Sequence, residues 1–69
     1  MSLRAVVAKN LRKLRQIKGL SQEDLAHRAD ITANYVSSLE REEYAASLDV
    51  IERLATALEV DPVELLRGD

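Results

Sequence analysis

The sequence has no cysteine, tryptophan or phenylalanine, and its 69 residues include only two tyrosines, two glycines and one proline. Without cysteine the chain forms neither a disulfide framework nor a cysteine-based metal site, and with so few aromatic rings its core must be aliphatic. No stretch approaches the roughly 20 apolar residues that a membrane span requires. We therefore expect one small domain over residues 1–69, without a membrane segment.

Signals for export and for catalysis are also missing. The apolar run over residues 5–8 ends at Lys9, which is unlike a secretory segment, so we expect a cytoplasmic protein. There is no metal-ligand spacing, no glycine-rich phosphate loop and no nucleophile beside a base. His27 is the single histidine, and we interpret it as a solvated surface residue. We expect no enzyme, no catalytic or metal-binding residue, no cofactor and no small-molecule ligand.

Charge is distributed unevenly along the chain. The net charge is −2, yet residues 1–20 carry +6, residues 21–41 carry −2 and residues 42–69 carry −6. A positive face can coexist with an acidic rear if the fold puts the basic first helix and the central segment on one side. A solvated basic helix face is an equally good explanation of this feature alone.

Three helices are predicted in the first 41 residues. The stripe at helical spacing comprises Leu3, Val6, Val7, Leu11, Leu14 and Ile17, and Gly19 ends this helix. Ser21 and Asp24 form a capping box that starts a second helix at Gln22, with Leu25, Ala26 and Ala29 inward. Thr32 caps a third helix, whose inner face is Val36 and Leu39. Ile31 and Val36 have the spacing of a hydrophobic staple.

The remaining residues predict two more helices. Ser47 is the next N-cap, followed by the stripe Val50, Ile51, Leu54, Ala55 and Leu58. Asp61 and Pro62 then read as N-cap and first residue of a short last helix, which Gly68 closes. No segment alternates with the period of a strand. The predicted fold is all-α, a compact five-helix bundle.

Residues 22–41 carry the pattern of a helix-turn-helix, which is two helices joined by a short turn, with a small residue at Ala26. Together with Leu39-Glu40-Arg41 and Leu54 to Leu58, this pattern resembles the Cro and phage-repressor (Xre) regulators, whose domain is of the lambda-repressor type. The chain is also similar to the controller proteins of restriction-modification systems. The resemblance implies a homodimeric transcription regulator that binds double-stranded operator DNA.

The resemblance also implies which residues meet DNA. A recognition helix at about residues 32–41 would lie in the major groove, and its candidates for base readout are Thr32, Ala33, Asn34, Ser37 and Ser38. Candidates for phosphate contact are Gln22, Tyr35 and Arg41. Arg15 and Glu40 are expected to form a structural pair. Outside a helix-turn-helix these polar residues would be ordinary solvated positions, and Tyr35 serves equally well as a packing residue.

Some residues depart from the family pattern. Asp30 stands where the turn usually has glycine, and aspartate adopts the left-handed conformation at modest cost. Ala33 stands where controller proteins tend to have arginine. Glu42 and Glu43 follow Arg41 where glycine is usual, and their carboxylates would repel phosphate. This acidity motivates a second hypothesis, a protein-interaction module such as an antitoxin.

The sequence leaves two interpretations of the apolar residues near the C-terminus, and one of them is a dimer surface. The last two helices carry more apolar residues than a small core hides, such as Val60, Val63, Leu65 and Leu66. These residues either form the dimer contact or close the core of the monomer.

Overall fold

A computed structural model describes residues 2–68 as five α-helices. They are α1 (Leu3–Ile17), α2 (Gln22–Ala29), α3 (Ala33–Glu40), α4 (Leu48–Leu58) and α5 (Val63–Leu66). The predicted all-α fold with five helices is confirmed; Met1 and Asp69, the ends of the predicted domain, lie outside the described residues. No helix in residues 2–68 combines the length and the apolar character needed to cross a membrane.

Four helices are preceded by an N-cap serine or threonine, whose hydroxyl accepts a hydrogen bond from a backbone N–H of the first turn. The predicted caps Ser21, Thr32 and Ser47 accept from the residue three positions later at 3.0–3.1 Å, and Ser2 does the same for α1. At α2 the capping box is complete, because the Ser21 N–H donates to Asp24 Oδ2 at 3.2 Å. This hydrogen bond lowers the pKa of Asp24, so the box is intact above the usual aspartate range and weakens as the pH falls through it.

The first four helices also end in one common way. A residue with positive φ follows each helix, and the next N–H donates to the carbonyl five positions back, which satisfies a free carbonyl of the last turn. The four residues are Gly19 (φ 70°), Asp30 (φ 59°), Glu42 (φ 63°) and Glu59 (φ 60°). Asp30 therefore adopts the left-handed conformation predicted for it, and only one of these ends uses glycine.

The core is aliphatic and receives side chains from every helix. The most deeply buried are Leu11, Leu25, Val36, Leu39, Leu54, Leu58 and Leu65. The prediction for α1 is wrong at its two ends, because Leu3 and Ile17 are 68% and 66% exposed. The reason is length: α1 has 15 residues, whereas α3, against which it packs, has 8. The ends of α1 therefore extend past the helices that bury its middle.

The last helix begins one residue later than predicted. Pro62 has helical backbone angles (φ −52°, ψ −28°) but precedes α5, and Asp61 Oδ1 accepts the Val63 N–H at 3.0 Å. The other end of α5 is held by Asn10 of α1, whose Nδ2 donates to the carbonyl oxygens of Leu65 (3.0 Å) and Arg67 (2.8 Å). One buried amide thus fastens the C-terminal segment to the first helix.

Replacing Asn10 with alanine removes this amide. We expect the free energy of unfolding to fall by about 1–3 kcal/mol, because the buried Leu65 carbonyl loses its partner. Urea denaturation followed by circular dichroism measures the change. The control is Lys9→Ala, an exposed neighbour on the same helix that should change stability by no more than about 0.5 kcal/mol. Equal losses for the two variants would contradict the proposed role of Asn10.

Candidate nucleic-acid interface

Helices α2 and α3 are joined by a three-residue turn, residues 30–32. Asp30 reverses the chain, the Ile31 N–H donates to the Ala26 carbonyl at 3.0 Å, and Thr32 caps α3. Ala26 is buried and Val36 is fully buried, while Ile31 packs at the edge of the same core. Backbone hydrogen bonds and the packing of Ile31 on the core therefore fix the conformation of the turn. The segment is a helix-turn-helix.

A surface depression joins the start of α2 to the outer face of α3, and we call it the α2–α3 depression. Its lining residues are Arg15, Ser21, Gln22, Glu23, Ala33, Asn34 and Ser37. The structure thus brings together Gln22, Asn34, Ser37 and Ala33, which the sequence assigned to phosphate and base contacts. Thr32, the N-cap of α3, and Ser38, on α3 itself, lie outside this lining.

An ion pair between α1 and α3 lies at the α2–α3 depression. Arg15 donates from Nε to Glu40 Oε2 at 2.8 Å and from Nη2 to Glu40 Oε1 at 3.1 Å. Its Nη1 donates to the Leu20 carbonyl at 3.0 Å. The side chains of Arg15 and Glu40 are 14% and 5% exposed. The bond to Glu40 raises the pKa of Arg15, as expected where a charged partner compensates desolvation.

Gln22 is tied to the same carboxylate. Its Nε2 donates to Glu40 Oε1 at 3.1 Å, so the end of α3 orients the side chain at the start of α2. An amide has two N–H donors and a carbonyl oxygen, and this bond uses one donor. The other groups of Gln22 stay available beside the positive end of the α2 dipole, where an anion is favoured.

The two remaining phosphate candidates differ in their surroundings. Tyr35 is half-buried, and its ring packs against the core, in line with the packing alternative. Arg41 is exposed, but it donates to both oxygens of Glu43, from Nε at 3.0 Å and from Nη2 at 3.1 Å. Its Nη1 donates to Ser37 Oγ. Sequence reasoning interpreted Glu43 as a free, repelling carboxylate and missed this pair.

The positive charge of α1 is divided between two sides of the domain. Arg15 lines the α2–α3 depression, but Glu40 compensates its charge. Lys13 lines a separate depression where α1 meets the C-terminal segment, together with Glu64 and Arg67. Arg15 and Lys13 therefore lie at two different helix junctions, because α1 packs against both α3 and α5.

The part of the chain that the structure describes contains no group of three or more acidic or histidine side chains arranged to hold a metal ion. His27 is exposed on α2.

A helix-turn-helix family model matches residues 11–65, and the chain belongs to this family of DNA-binding transcription regulators. It is 45% identical over 64 residues to a hypothetical transcription factor of Neisseria meningitidis, an alignment that spans 93% of this chain and 60% of that protein. The solved structure of a hypothetical Neisseria transcription factor matches with a TM-score of 0.93 and 43% identity, over 97% of this chain and 77% of the other.

Restriction-modification controller proteins are also among the similar proteins. The structure of the controller protein C.AhdI from Aeromonas hydrophila matches with a TM-score of 0.87 and 44% identity, over 90% of this chain and 94% of that one. The control protein C.SmaI of Serratia marcescens is 36% identical over 66 residues, which are 96% of this chain and 79% of that protein. The resemblance inferred from the sequence is confirmed.

Replacing Glu40 with alanine should lower the free energy of unfolding by about 3 kcal/mol, because it leaves the largely buried Arg15 guanidinium without a charged partner. Thermal and urea unfolding measure the loss. Glu64→Ala is the control, since it breaks an Arg67 pair whose side chains are about half exposed and should cost less than about 1 kcal/mol. A Glu40 variant as stable as the Glu64 variant would exclude a scaffold role for the buried pair.

Proposed function

We propose that the chain is a homodimeric transcription regulator that binds a pseudo-palindromic operator with α3 in the major groove. The observation that carries this proposal is the α2–α3 depression, in which the start of α2 and the outer face of α3 share one surface. An α-helix fits the major groove while the preceding helix lies across the backbone. In a dimer the two half-sites would lie about one helical turn, roughly 34 Å, apart.

Base readout is assigned first to Asn34. It is exposed and lines the depression, and its amide has the donor and acceptor needed for a bidentate pair with adenine. The Ser37 oxygen accepts from Arg41, which leaves its hydroxyl hydrogen and one lone pair to meet a base. Ala33 offers a methyl group to thymine, and Thr32 and Ser38 flank these positions.

Phosphate contact is assigned to Gln22, with Tyr35 and Arg41 as further donors. The support for Gln22 is its position at the start of α2, where backbone N–H groups and the helix dipole favour an anion, and its orientation by Glu40. Contacts of this kind contribute affinity and register but little sequence information.

The dimer contact is assigned to an apolar groove. Of the residues predicted for this contact, the groove includes Leu66. Leu65 is fully buried and Val60 packs on the core, so these two close the monomer. Leu66 is 38% exposed and lines a groove with Leu3, Tyr44 and Leu48, which are exposed as well. A second copy is the occupant proposed, because exposed apolar side chains gathered on a small domain favour association.

We propose further that this protein acts in the cytoplasm and controls a promoter in proportion to its own concentration. The support is its similarity to proteins named control or controller proteins. A fusion of its own promoter to a reporter tests autoregulation, and output that ignores the level of the protein would count against it.

Asn34→Ala should lose about 1–3 kcal/mol of binding free energy at the preferred site and relax specificity at one base pair of each half-site. Selection of bound duplexes from a random library, followed by titration of the selected site, measures both effects. Gln22→Ala is the matched comparison, because loss of a phosphate contact should weaken binding to all duplexes about equally.

Two outcomes would contradict this assignment. An Asn34→Ala variant that selects the same sequence as the parent protein would exclude Asn34 from base readout. If the parent protein enriches no sequence at all, the operator proposal fails and the protein-interaction module takes its place.

Leu48→Glu should make the protein monomeric at micromolar concentration and weaken operator binding. The fold should tolerate this change, since Leu48 is 78% exposed and is the first residue of α4, where the helix dipole favours an acidic side chain. Sedimentation equilibrium measures the mass. Ile17→Lys is the control. Ile17 is 66% exposed and lies outside the groove, at the end of α1 opposite to Leu3. A Leu48→Glu variant with the mass of the parent dimer would exclude this surface.

A further inference from the structure

The guanidinium of Arg41, at the end of the recognition helix, is occupied within the protein. An arginine has five N–H donors. In Arg41 the Nε and Nη2 groups each donate to Glu43, and Nη1 donates to Ser37. The Nε–Nη2 edge of the guanidinium, one of its two edges that can bind a phosphate in bidentate fashion, is therefore filled by a carboxylate, which presents two oxygens in the same way.

The backbone positions Glu43 for this contact. Glu42 takes a left-handed conformation (φ 63°), which turns the chain back at the end of α3. The Glu43 N–H then donates to the Ser38 carbonyl at 2.9 Å. Glu43 is thus anchored on the last turn of the recognition helix, although it is only two residues from Arg41. Glu42, its equally acidic neighbour, makes no hydrogen bond of this kind to Arg41 within residues 2–68.

The pair is also accessible to a competing anion. The side chains of Arg41 and Glu43 are 57% and 47% exposed. The hydrogen bond from Arg41 lowers the pKa of Glu43, so the carboxylate is charged at neutral pH. An exposed ion pair of this type is weak, so a DNA phosphate, whose potential is reinforced by its neighbours, can displace the carboxylate.

We propose that Glu43 competes with a DNA phosphate for Arg41 and thereby sets the affinity of the regulator for DNA of any sequence. This inference rests on the proposed function, in which Arg41 lies next to the DNA backbone. Binding of a phosphate at the Nε–Nη2 edge requires the guanidinium to exchange one anion for another, and the released carboxylate stays near the phosphate. The effect on affinity is independent of sequence, because phosphate contacts carry no base information.

The exchange also affects Ser37. While Arg41 is paired with Glu43, its Nη1 holds the Ser37 hydroxyl oxygen. When Arg41 turns to a phosphate, this oxygen gains a second site at which it can accept a hydrogen bond. Glu43 therefore acts on the readout face through Arg41, as a positioning residue that touches no base.

The test compares Glu43→Gln with Glu42→Gln on the selected operator and on an unrelated duplex at several salt concentrations. Each variant removes one negative charge from the same loop, and only the first releases Arg41. We expect Glu43→Gln to bind both duplexes about three- to ten-fold tighter, with a salt dependence steeper by about one phosphate contact per half-site. Glu42→Gln should show a clearly smaller gain and the salt dependence of the parent.

Arg41→Gln completes the design. Combined with Glu43→Gln it should abolish the gain in affinity, since the gain acts through the guanidinium. Equal gains for Glu42→Gln and Glu43→Gln, or a gain that persists without Arg41, would overturn competition at Arg41 while leaving operator binding intact. If the parent protein binds neither duplex at any salt concentration, the proposed function fails and this inference fails with it.

Discussion

The arrangement of the recognition helix depends on the bidentate ion pair between Arg15 and Glu40. Both side chains are largely buried, and a buried charge is tolerated only with a partner of good geometry. Through Leu20 and Gln22 the same two side chains also hold the connection after α1 and the first residue of α2. One carboxylate of α3 therefore binds side chains from both α1 and α2. A small change at Glu40 would alter the angle between the surface proposed for phosphate and the surface proposed for bases.

Capping and core packing stabilise the short helices around this ion pair. Helices α2 and α3 have 8 residues each, and isolated helices of that length are marginal in water. Hydroxyl caps at their starts and left-handed residues at their ends satisfy backbone groups that would otherwise be exposed to water or buried without partners. Leucine and valine side chains from all five helices then fill one core. The exposed polar face of α3, which we assign to base readout, is thus held by a well-packed core, as such a surface requires.

Acidic residues have different roles according to their surroundings. Asp24 closes a cap, Glu40 compensates a buried arginine, and Glu43 occupies an exposed one. Net charge therefore describes this protein poorly. Its negative total conceals contacts in which carboxylates orient the cationic and amide groups that we assign to DNA. The proposed action of Glu43 extends this principle, because a carboxylate at the edge of an interface can reduce affinity without touching a base.

The starts of α2, α3 and α4 and the left-handed Asp30 were readable from the sequence by itself, because each depends on residues within about five positions of one another. The helix-turn-helix was readable from the spacing of its apolar residues. The tertiary structure decided the rest. The amide of Asn10 binds a carbonyl 57 residues away, and Arg15 binds a carboxylate 25 residues away. Leu3 and Ile17 fit the apolar stripe but are exposed, since burial depends on which helices reach them. Glu43 reaches Arg41 only through the turn at Glu42, whose φ is positive although glutamate rarely adopts it. Local chemistry determined the elements, and packing determined their partners.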